Sequence, residues 1–158
     1  MALEQTSTRR VGCRVFCNDY RLPVMLAKEA ATMDYLSGGR LEFGLGAGWI
    51  EREYNAAGLT FDAFGERFAR FAESVQAYKA FMSGEPLTLN GEYIHWQGFH
   101  GTPSPAQTPH PPLMIGGGSK KILQRRGRHR QPEFQQPRRH ARAGRHGLGP
   151  GCGNRAEN

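Results

Sequence analysis

The chain has 158 residues, of which 38% are hydrophobic, and carries a formal net charge of +7. These values are typical of one soluble globular domain, and no apolar run approaches the 18 residues that would indicate a membrane span. The N-terminus also lacks the basic-then-apolar pattern of a secretory signal. We therefore expect a cytoplasmic protein with no membrane partner.

The three cysteines are an odd set without a repeated CxxC pattern. Cys13 and Cys17 lie four residues apart in a predicted strand, so we interpret them as small buried hydrophobic residues rather than as metal ligands. We predict no metal site in the chain.

The net charge is concentrated in the C-terminal part of the chain. Residues 1–124 contain 12 Lys and Arg against 12 Asp and Glu, whereas residues 125–158 contain nine Arg against only Glu133 and Glu157. The C-terminal segment also lacks Ile, Val, Met, Trp and Tyr, and such a composition cannot bury enough apolar surface to fold alone. We predict a folded domain over residues 1–124 and a disordered basic tail over residues 125–158.

The first half of the domain reads as strand, helix, strand. "RVGCRVFCN" at residues 10–18 predicts a buried strand that ends in a polar loop. Pro23 then stands at a predicted helix start, where proline costs no hydrogen bond, and the Gly38-Gly39 pair ends that helix. "RLEFGLGAG" at residues 40–48 predicts the second strand.

The second half adds a helix, a hairpin and a third strand. Apolar residues at helical spacing predict an amphipathic helix that ends at Ser83-Gly84, with Arg67 and Arg70 available for its other face. Asn90-Gly91 between alternating apolar residues predicts a hairpin. A proline-rich connector leads into "LMIGGG", a third short apolar run.

This βαβαβ order implies a parallel sheet with right-handed crossovers. Parallel sheets carry their sites at the carboxyl ends of the strands. The candidate sites are therefore Asn18-Asp19, residues 44–49 and residues 116–119.

Each candidate site has a structural and a functional interpretation. The glycines of "GLGAGW" either permit a tight turn or let a phosphate or flat ring approach the backbone. Trp49 is either a stacking wall or part of the core. "GGGSKK" combines three glycines, Ser119 and two lysines at a predicted helix start, which suits a phosphate better. His95, His100 and His110 lie without metal spacing, so we interpret them as surface residues.

Three blocks resemble the bacterial luciferase-like monooxygenase family, in particular its oxidoreductases that use the deazaflavin coenzyme F-420. They are "VGCRVFCNDYRLPVMLAKEAATMDYLSGGRLEFGLGAGW", "GERFARFAESVQAYKAFMSGEPLTLNGEYIHW" and "PSPAQTPHPPLMIGGG". The resemblance implies a partial (β/α)8 TIM barrel, comprising about strands three to five with their crossover helices and a β-hairpin excursion.

The resemblance also implies which residues bind the coenzyme. The glycine turn after the third predicted strand would hold the coenzyme phosphate on backbone N–H groups, and the two earlier strand ends would flank its ring. The implied cofactor-binding residues are Val15, Asn18, Ala47, Gly48, Trp49, Gly116, Gly117, Gly118 and Ser119. The family often has a non-proline cis peptide at the position of Arg14-Val15, against which the large Arg14 side chain argues. The resemblance assigns no catalytic residue.

The tail departs from the family pattern, which continues with a strand like Ala-Asp-Ile-Val-Ser. Residues 128–131, Arg-His-Arg-Gln, can be encoded so that a shift of one nucleotide gives Asp-Ile-Val-Ser. We therefore favour a reading-frame change over an evolved basic arm for nucleic acid, and the nucleotide sequence of the gene tests this.

Three functional hypotheses follow. The first is an F-420-dependent oxidoreductase, with FMN as the alternative coenzyme, that moves hydride to or from a small organic substrate. The second is a nucleic-acid-binding protein that uses the arginine-rich tail. The third is an inactive fragment of the first, whose uncovered barrel edges would favour self-association into a homo-oligomer.

Overall fold

The computed structural model describes residues 4–117. They form six short strands and three α-helices, with a 3-10 helix at Asn18–Tyr20. The strands are β1 Val11–Gly12, β2 Phe16–Cys17, β3 Leu41–Gly46, β4 Leu87–Asn90, β5 His95–Phe99 and β6 Leu113–Ile115. The helices are α1 Pro23–Leu36, α2 Glu51–Ala56 and α3 Phe64–Met82.

β3 is the central strand of a parallel sheet. On one side it pairs with β1 at Leu41 and with β2 at Leu45, so β1 and β2 are two pieces of one interrupted strand. On the other side it pairs with β6, with Phe43 opposite Leu113. Parallel strands joined by helices are the arrangement that the βαβαβ order predicts.

The interruption between β1 and β2 contains a cis peptide bond between Arg14 and Val15. The expectation that a large residue would exclude this bond was wrong. The Arg14 side chain is exposed, so its size meets no obstacle in the fold.

Two helices cover one face of the sheet and form the core with it. α1 begins at Pro23, as predicted, and buries Leu26, Ala27 and Ala30. α3 contributes large side chains, including Phe71 and Tyr78, and the two helices enclose inward-facing residues of β3. Each large apolar side chain buried in this way stabilises the fold by about 1.5–3 kcal/mol.

The prediction that Arg67 lies on the solvent side of α3 was wrong. Its side chain is 6% exposed, its guanidinium lies 3.7 Å from the centre of the Phe61 ring, and it donates a hydrogen bond to the Asp62 carbonyl oxygen. An arginine stem can pack against apolar surface, and a helical pattern of apolar letters does not reveal that.

The hairpin between β4 and β5 is confirmed, but its turn is longer than two residues. Asn90 pairs with His95, so residues 91–94 form the loop. The Glu73 carboxylate on α3 accepts hydrogen bonds from the backbone N–H groups of Glu92, Tyr93 and Ile94. This contact, distant in sequence, determines the turn.

Sequence periodicity did not predict α2. The helix has only six residues, "EREYNA", and just one of them, Tyr54, is buried. One large apolar residue in six gives no periodic signal. No helix within residues 4–117 is long and apolar enough to cross a membrane.

Candidate functional site

The carboxyl ends of the three parallel strands meet at one edge of the sheet. Cys17 at the end of β2 lies opposite Gly46 at the end of β3. On the other side of β3, Leu45 lies opposite Ile115, and the Gly116 N–H donates a hydrogen bond of 2.7 Å to the Leu45 carbonyl oxygen. The three sequence-predicted strand ends are therefore neighbours, as a parallel sheet requires.

Val15 occupies the face of the sheet opposite the helices. A β-carbon on Gly46 would lie 2.8 Å from Val15 Cγ2, and one on Gly116 would lie 2.7 Å from the same methyl group. One on Gly44 would lie 3.1 Å from Val15 Cγ1. The glycines thus leave room for a single apolar side chain that reaches across all three strands, and Val15 is itself partly exposed.

The turn after β3 presents Trp49 to solvent. Gly48 has a φ of 75°, a left-handed conformation that favours glycine. A β-carbon there would also overlap the hydroxyl group of Tyr54. Trp49 is 82% exposed, so its interpretation as a core residue was wrong. Ala47, two residues earlier, is 4% exposed and belongs to the core.

Asn18 is directed towards the helices rather than towards the Val15 face. It is 2% exposed, and its side-chain oxygen accepts a hydrogen bond of 3.1 Å from the Tyr78 hydroxyl. Its amide nitrogen lies 3.2 Å from Asp19 Oδ1 and donates to it. The Asn18 side chain therefore connects the end of β2 to α3.

Four side chains behind the strand ends form a hydrogen-bonded group that we call the strand-end cluster: Cys17, Asp19, Tyr54 and Arg70. Arg70 donates to both carboxylate oxygens of Asp19, at 3.0 and 2.9 Å. The Tyr54 hydroxyl donates to Asp19 Oδ2 at 3.0 Å and lies 3.2 Å from Cys17 Sγ. Arg70 also donates to Asp62 at 2.9 Å.

The sequence had indicated only one member of this cluster as a candidate. Asp19 directly follows the first predicted strand, which makes it a strand-end candidate. Arg70 lies 51 residues further along, and the sequence pattern indicates only that it is available for the other face of α3. Tyr54 lies on the helix that periodicity missed, so no sequence signal joined the three.

The cluster fixes the ionisation of its members. Burial favours the protonated form of Asp19, but hydrogen bonds from Arg70, Asn18 and Tyr54 outweigh burial and hold the pKa of Asp19 below its ordinary value. Burial, the contact with Cys17 and the charge of Asp19 raise the pKa of the Tyr54 phenol. The hydrogen bond to Asp19 raises the pKa of Arg70. At neutral pH the cluster holds a carboxylate, a guanidinium and a neutral phenol.

A cavity of about 310 Å³ adjoins the cluster on the helix side. Asp19, Tyr54 and Arg70 line it, together with Tyr93 from the hairpin loop. The hydrogen bond to Glu66 raises the pKa of Tyr93 to about 12. In this wall Arg70 is paired with both Asp19 and Asp62.

The glycine turn after β6 lies only partly within the described residues. Gly116 is close to the Val15 side chain, and Gly117 has a φ of 128° and is exposed. The predictions for Gly118 and Ser119 lie outside the described residues, as does the predicted basic tail. His95 and His100 are exposed, and His110 is partly buried with Nδ1 2.8 Å from the Pro111 carbonyl oxygen. Within residues 4–117, no group of three or more His, Cys, Asp or Glu side chains could hold a metal ion.

Comparison with known proteins identifies relatives that share these elements. The chain is 31% identical over 98 residues to an FMNH(2)-dependent dimethylsulfone monooxygenase from Pseudomonas putida. The aligned residues cover 62% of this chain and 27% of the relative. Among solved structures, monooxygenase RslO1 from Streptomyces bottropensis superposes with a TM-score of 0.65 at 26% identity, covering 72% of the chain and 34% of that protein.

A third comparison matches the coenzyme F-420-dependent tetrahydromethanopterin reductase from Methanopyrus kandleri. Its TM-score is 0.68 at 22% identity, over 80% of the chain and 39% of that protein. The chain thus spans between about a quarter and two fifths of the length of these relatives.

The sequence profile described as luciferase-like monooxygenase matches residues 1–149. That match covers nearly the whole chain and includes all three sequence blocks on which the resemblance depends. The chain belongs to the luciferase-like monooxygenase family.

Proposed function

We propose that this chain is part of an oxidoreductase that binds the deazaflavin coenzyme F-420, with FMN as the alternative, and acts on a small organic molecule. One observation carries the proposal. The ends of β2, β3 and β6 meet at one edge of the sheet. There Val15 packs over Gly44, Gly46 and Gly116, and Trp49 is exposed. Sites in parallel α/β folds lie at this edge.

The residues at this edge fit a flat ring system. A planar heterocycle needs an apolar surface to lie on and backbone that it can approach closely. Val15 supplies the apolar surface, the neighbouring glycines carry no side chains, and the Trp49 indole is free to form a second wall. The resemblance adds Asn18, Ala47 and Gly48 beside the ring, and Gly116, Gly117, Gly118 and Ser119 at the phosphate.

Asn18 and Ala47 would act through their backbone or by supporting the site. Asn18 makes its side-chain hydrogen bonds with Tyr78 and Asp19, and the Ala47 methyl group lies in the core. Val15, Gly48 and Trp49 would make the direct contacts with the ring. The phosphate contacts depend on Gly116 and the three residues after it.

When bound, such a coenzyme supplies hydride acceptance or donation, which no protein side chain provides. The described residues would position the ring and keep water from one face of it. Tyr54 and Asp19 are hydrogen-bonded to each other, and the raised pKa of Tyr54 keeps the phenol neutral. Because Asp19 is paired with Arg70 and Tyr54 on the helix side of the strands, we assign these two residues a structural role.

The choice between the two coenzymes rests on the sequence resemblance. The Pseudomonas putida relative is named for FMNH(2), and the Methanopyrus kandleri protein is named for coenzyme F-420. Both names support a ring of this class, and the F-420-like sequence blocks support the deazaflavin. The nucleic-acid hypothesis depends on the arginine-rich tail, which lies outside the described residues 4–117, and no observation within those residues supports it.

The proposal is tested by equilibrium binding of F-420 and of FMN to the full chain, with bound coenzyme measured by absorbance after ultrafiltration. Trp49→Ala should weaken binding about tenfold if the indole stacks on the ring. Leu36→Ala is the matched control, because Leu36 is 76% exposed on α1 and lies outside the proposed site. A folded chain that binds neither coenzyme contradicts the proposal, and so does a Trp49→Ala chain that binds as tightly as the parent.

A further inference from the structure

We propose that Tyr54 is a positioning residue that sets the placement of Trp49 against the coenzyme ring. This inference rests on the proposed function. Tyr54 is 1% exposed and is the buried residue of α2. Through one hydroxyl group it contacts the end of β2, the 3-10 helix and the turn that carries Trp49.

The Tyr54 hydroxyl group contacts three different residues. It donates to Asp19 Oδ2 at 3.0 Å and lies 3.2 Å from Cys17 Sγ. It also lies where a β-carbon of Gly48 would be, so the bare backbone of the turn rests directly against it. A change in the position of this oxygen therefore shifts the turn immediately before Trp49.

The ring of Tyr54 is held independently of its hydroxyl group. Phe61 and Tyr20 make edge-on contacts with it, at centroid distances of 5.0 and 5.2 Å. Tyr54→Phe therefore keeps the ring packing of α2 and removes only the hydroxyl group, with its hydrogen bonds and its contact with the Gly48 turn. This separates the positioning role from the contribution of Tyr54 to the core.

Trp49 is the residue on which this positioning acts. It lies directly between Gly48 and Ile50, the residue that precedes the first turn of α2. The exposed indole makes no aromatic contact among the described residues, so the turn and α2 determine its direction. Tyr54 thereby controls the wall of the ring site without touching the ring.

The test compares Tyr54→Phe with the parent full chain in proton–nitrogen NMR spectra, without and with F-420 or FMN. Gln107→Ala is the control: Gln107 donates to Asp34 at 2.7 Å and to the Leu41 carbonyl oxygen, at the opposite end of β3. Both variants lose partly buried hydrogen bonds, but only Tyr54→Phe changes a group that contacts the Gly48 turn. Unfolding temperature is measured for both.

In Tyr54→Phe we expect faster amide exchange at Trp49, a different indole N–H shift in the bound state, and about fivefold weaker coenzyme binding, because the displaced indole loses part of its contact with the ring. In Gln107→Ala we expect a lower unfolding temperature with none of these changes. Cys17→Ala should repeat the Tyr54→Phe effects in weaker form. Cys17→Ser keeps a group that can hydrogen-bond to the Tyr54 hydroxyl, so it should behave like the parent chain.

The inference is overturned if Tyr54→Phe leaves both the Trp49 exchange rate and the bound indole shift unchanged. It is also overturned if Gln107→Ala changes them equally, because the effect would then follow stability alone. If the parent chain binds neither coenzyme, the proposed function fails, whereas the exchange rate at Trp49 in the free chain still decides the role of Tyr54.

Discussion

Arg70 on α3 donates hydrogen bonds of 3.0 and 2.9 Å to the two carboxylate oxygens of Asp19, although 51 residues separate the two residues in the chain. The Asp19 side chain is 7% exposed and that of Arg70 is 27% exposed. A bidentate pair of this kind is geometrically specific. It connects α3 to the end of β2, the strand that directly follows Val15, at the edge where we propose the coenzyme lies.

Arg70→Met should destabilise the chain by about 3 kcal/mol, because it leaves the Asp19 carboxylate buried without its cation. Arg52→Met on α2 is the control, since Arg52 is exposed, and should change the free energy of unfolding by no more than about 0.5 kcal/mol. Urea denaturation at neutral pH measures both. Equal stabilities of the two variants would show that the ion pair does not hold the strand end.

The same pair predicts a pH dependence of known sign. The pKa of Asp19 is lowered in the folded chain, so its ionised form stabilises the fold above the unfolded pKa of about 3.9. That contribution is lost as pH falls through the folded pKa. The stability gap between the parent and Asp19→Asn should therefore be largest near neutral pH and shrink below about pH 4. Denaturation at a series of pH values measures the gap, and one that grows on acidification would contradict the structure.

Val15 and Gly46 should be energetically coupled. Gly46→Ala brings a methyl group within 2.8 Å of Val15 Cγ2 and should cost about 1–3 kcal/mol. Val15→Ala removes that methyl group, so the double variant should be more stable than the sum of the single effects predicts, by about 1 kcal/mol.

Gly44 provides the control for this coupling. A β-carbon at Gly44 would overlap the carbonyl oxygen of Cys13, which is backbone and cannot be removed by substitution. Val15→Ala should therefore fail to rescue Gly44→Ala. Strictly additive effects of Val15→Ala and Gly46→Ala, measured by urea denaturation, would mean that Val15 does not lie over Gly46 as described.

The fold could largely be predicted because its main signals are local. Pro23 and the Gly38-Gly39 pair mark the two ends of α1, and the apolar strands are separated by predicted helices in the order that a parallel sheet requires. The candidate site was predicted only at the level of strand ends. The contacts that shape it, such as Asp19 with Arg70 and Val15 with Gly116, join residues that are distant in sequence.

Two residues show why the side-chain roles could not be predicted. The sequence placed Asn18 at a strand end but could not show that its side-chain oxygen accepts a hydrogen bond from the Tyr78 hydroxyl on α3. Tyr54 carried no expectation, because one tyrosine in a six-residue polar segment has no periodicity to reveal burial. In both cases the direction of the side chain depends on a partner from another element.

The central claim is that a coenzyme ring lies against Trp49 at the strand ends, and the two tryptophans of the chain allow a direct test. Trp49 is exposed, whereas Trp96 packs against Phe81 and Phe99 in the hairpin region. Each gives one indole N–H signal in a proton–nitrogen NMR spectrum, and Trp49→Phe assigns them. On addition of F-420 or FMN, we predict a saturable shift of the Trp49 signal and an almost unchanged Trp96 signal. A folded chain in which the Trp49 signal does not move with either coenzyme would contradict the claim.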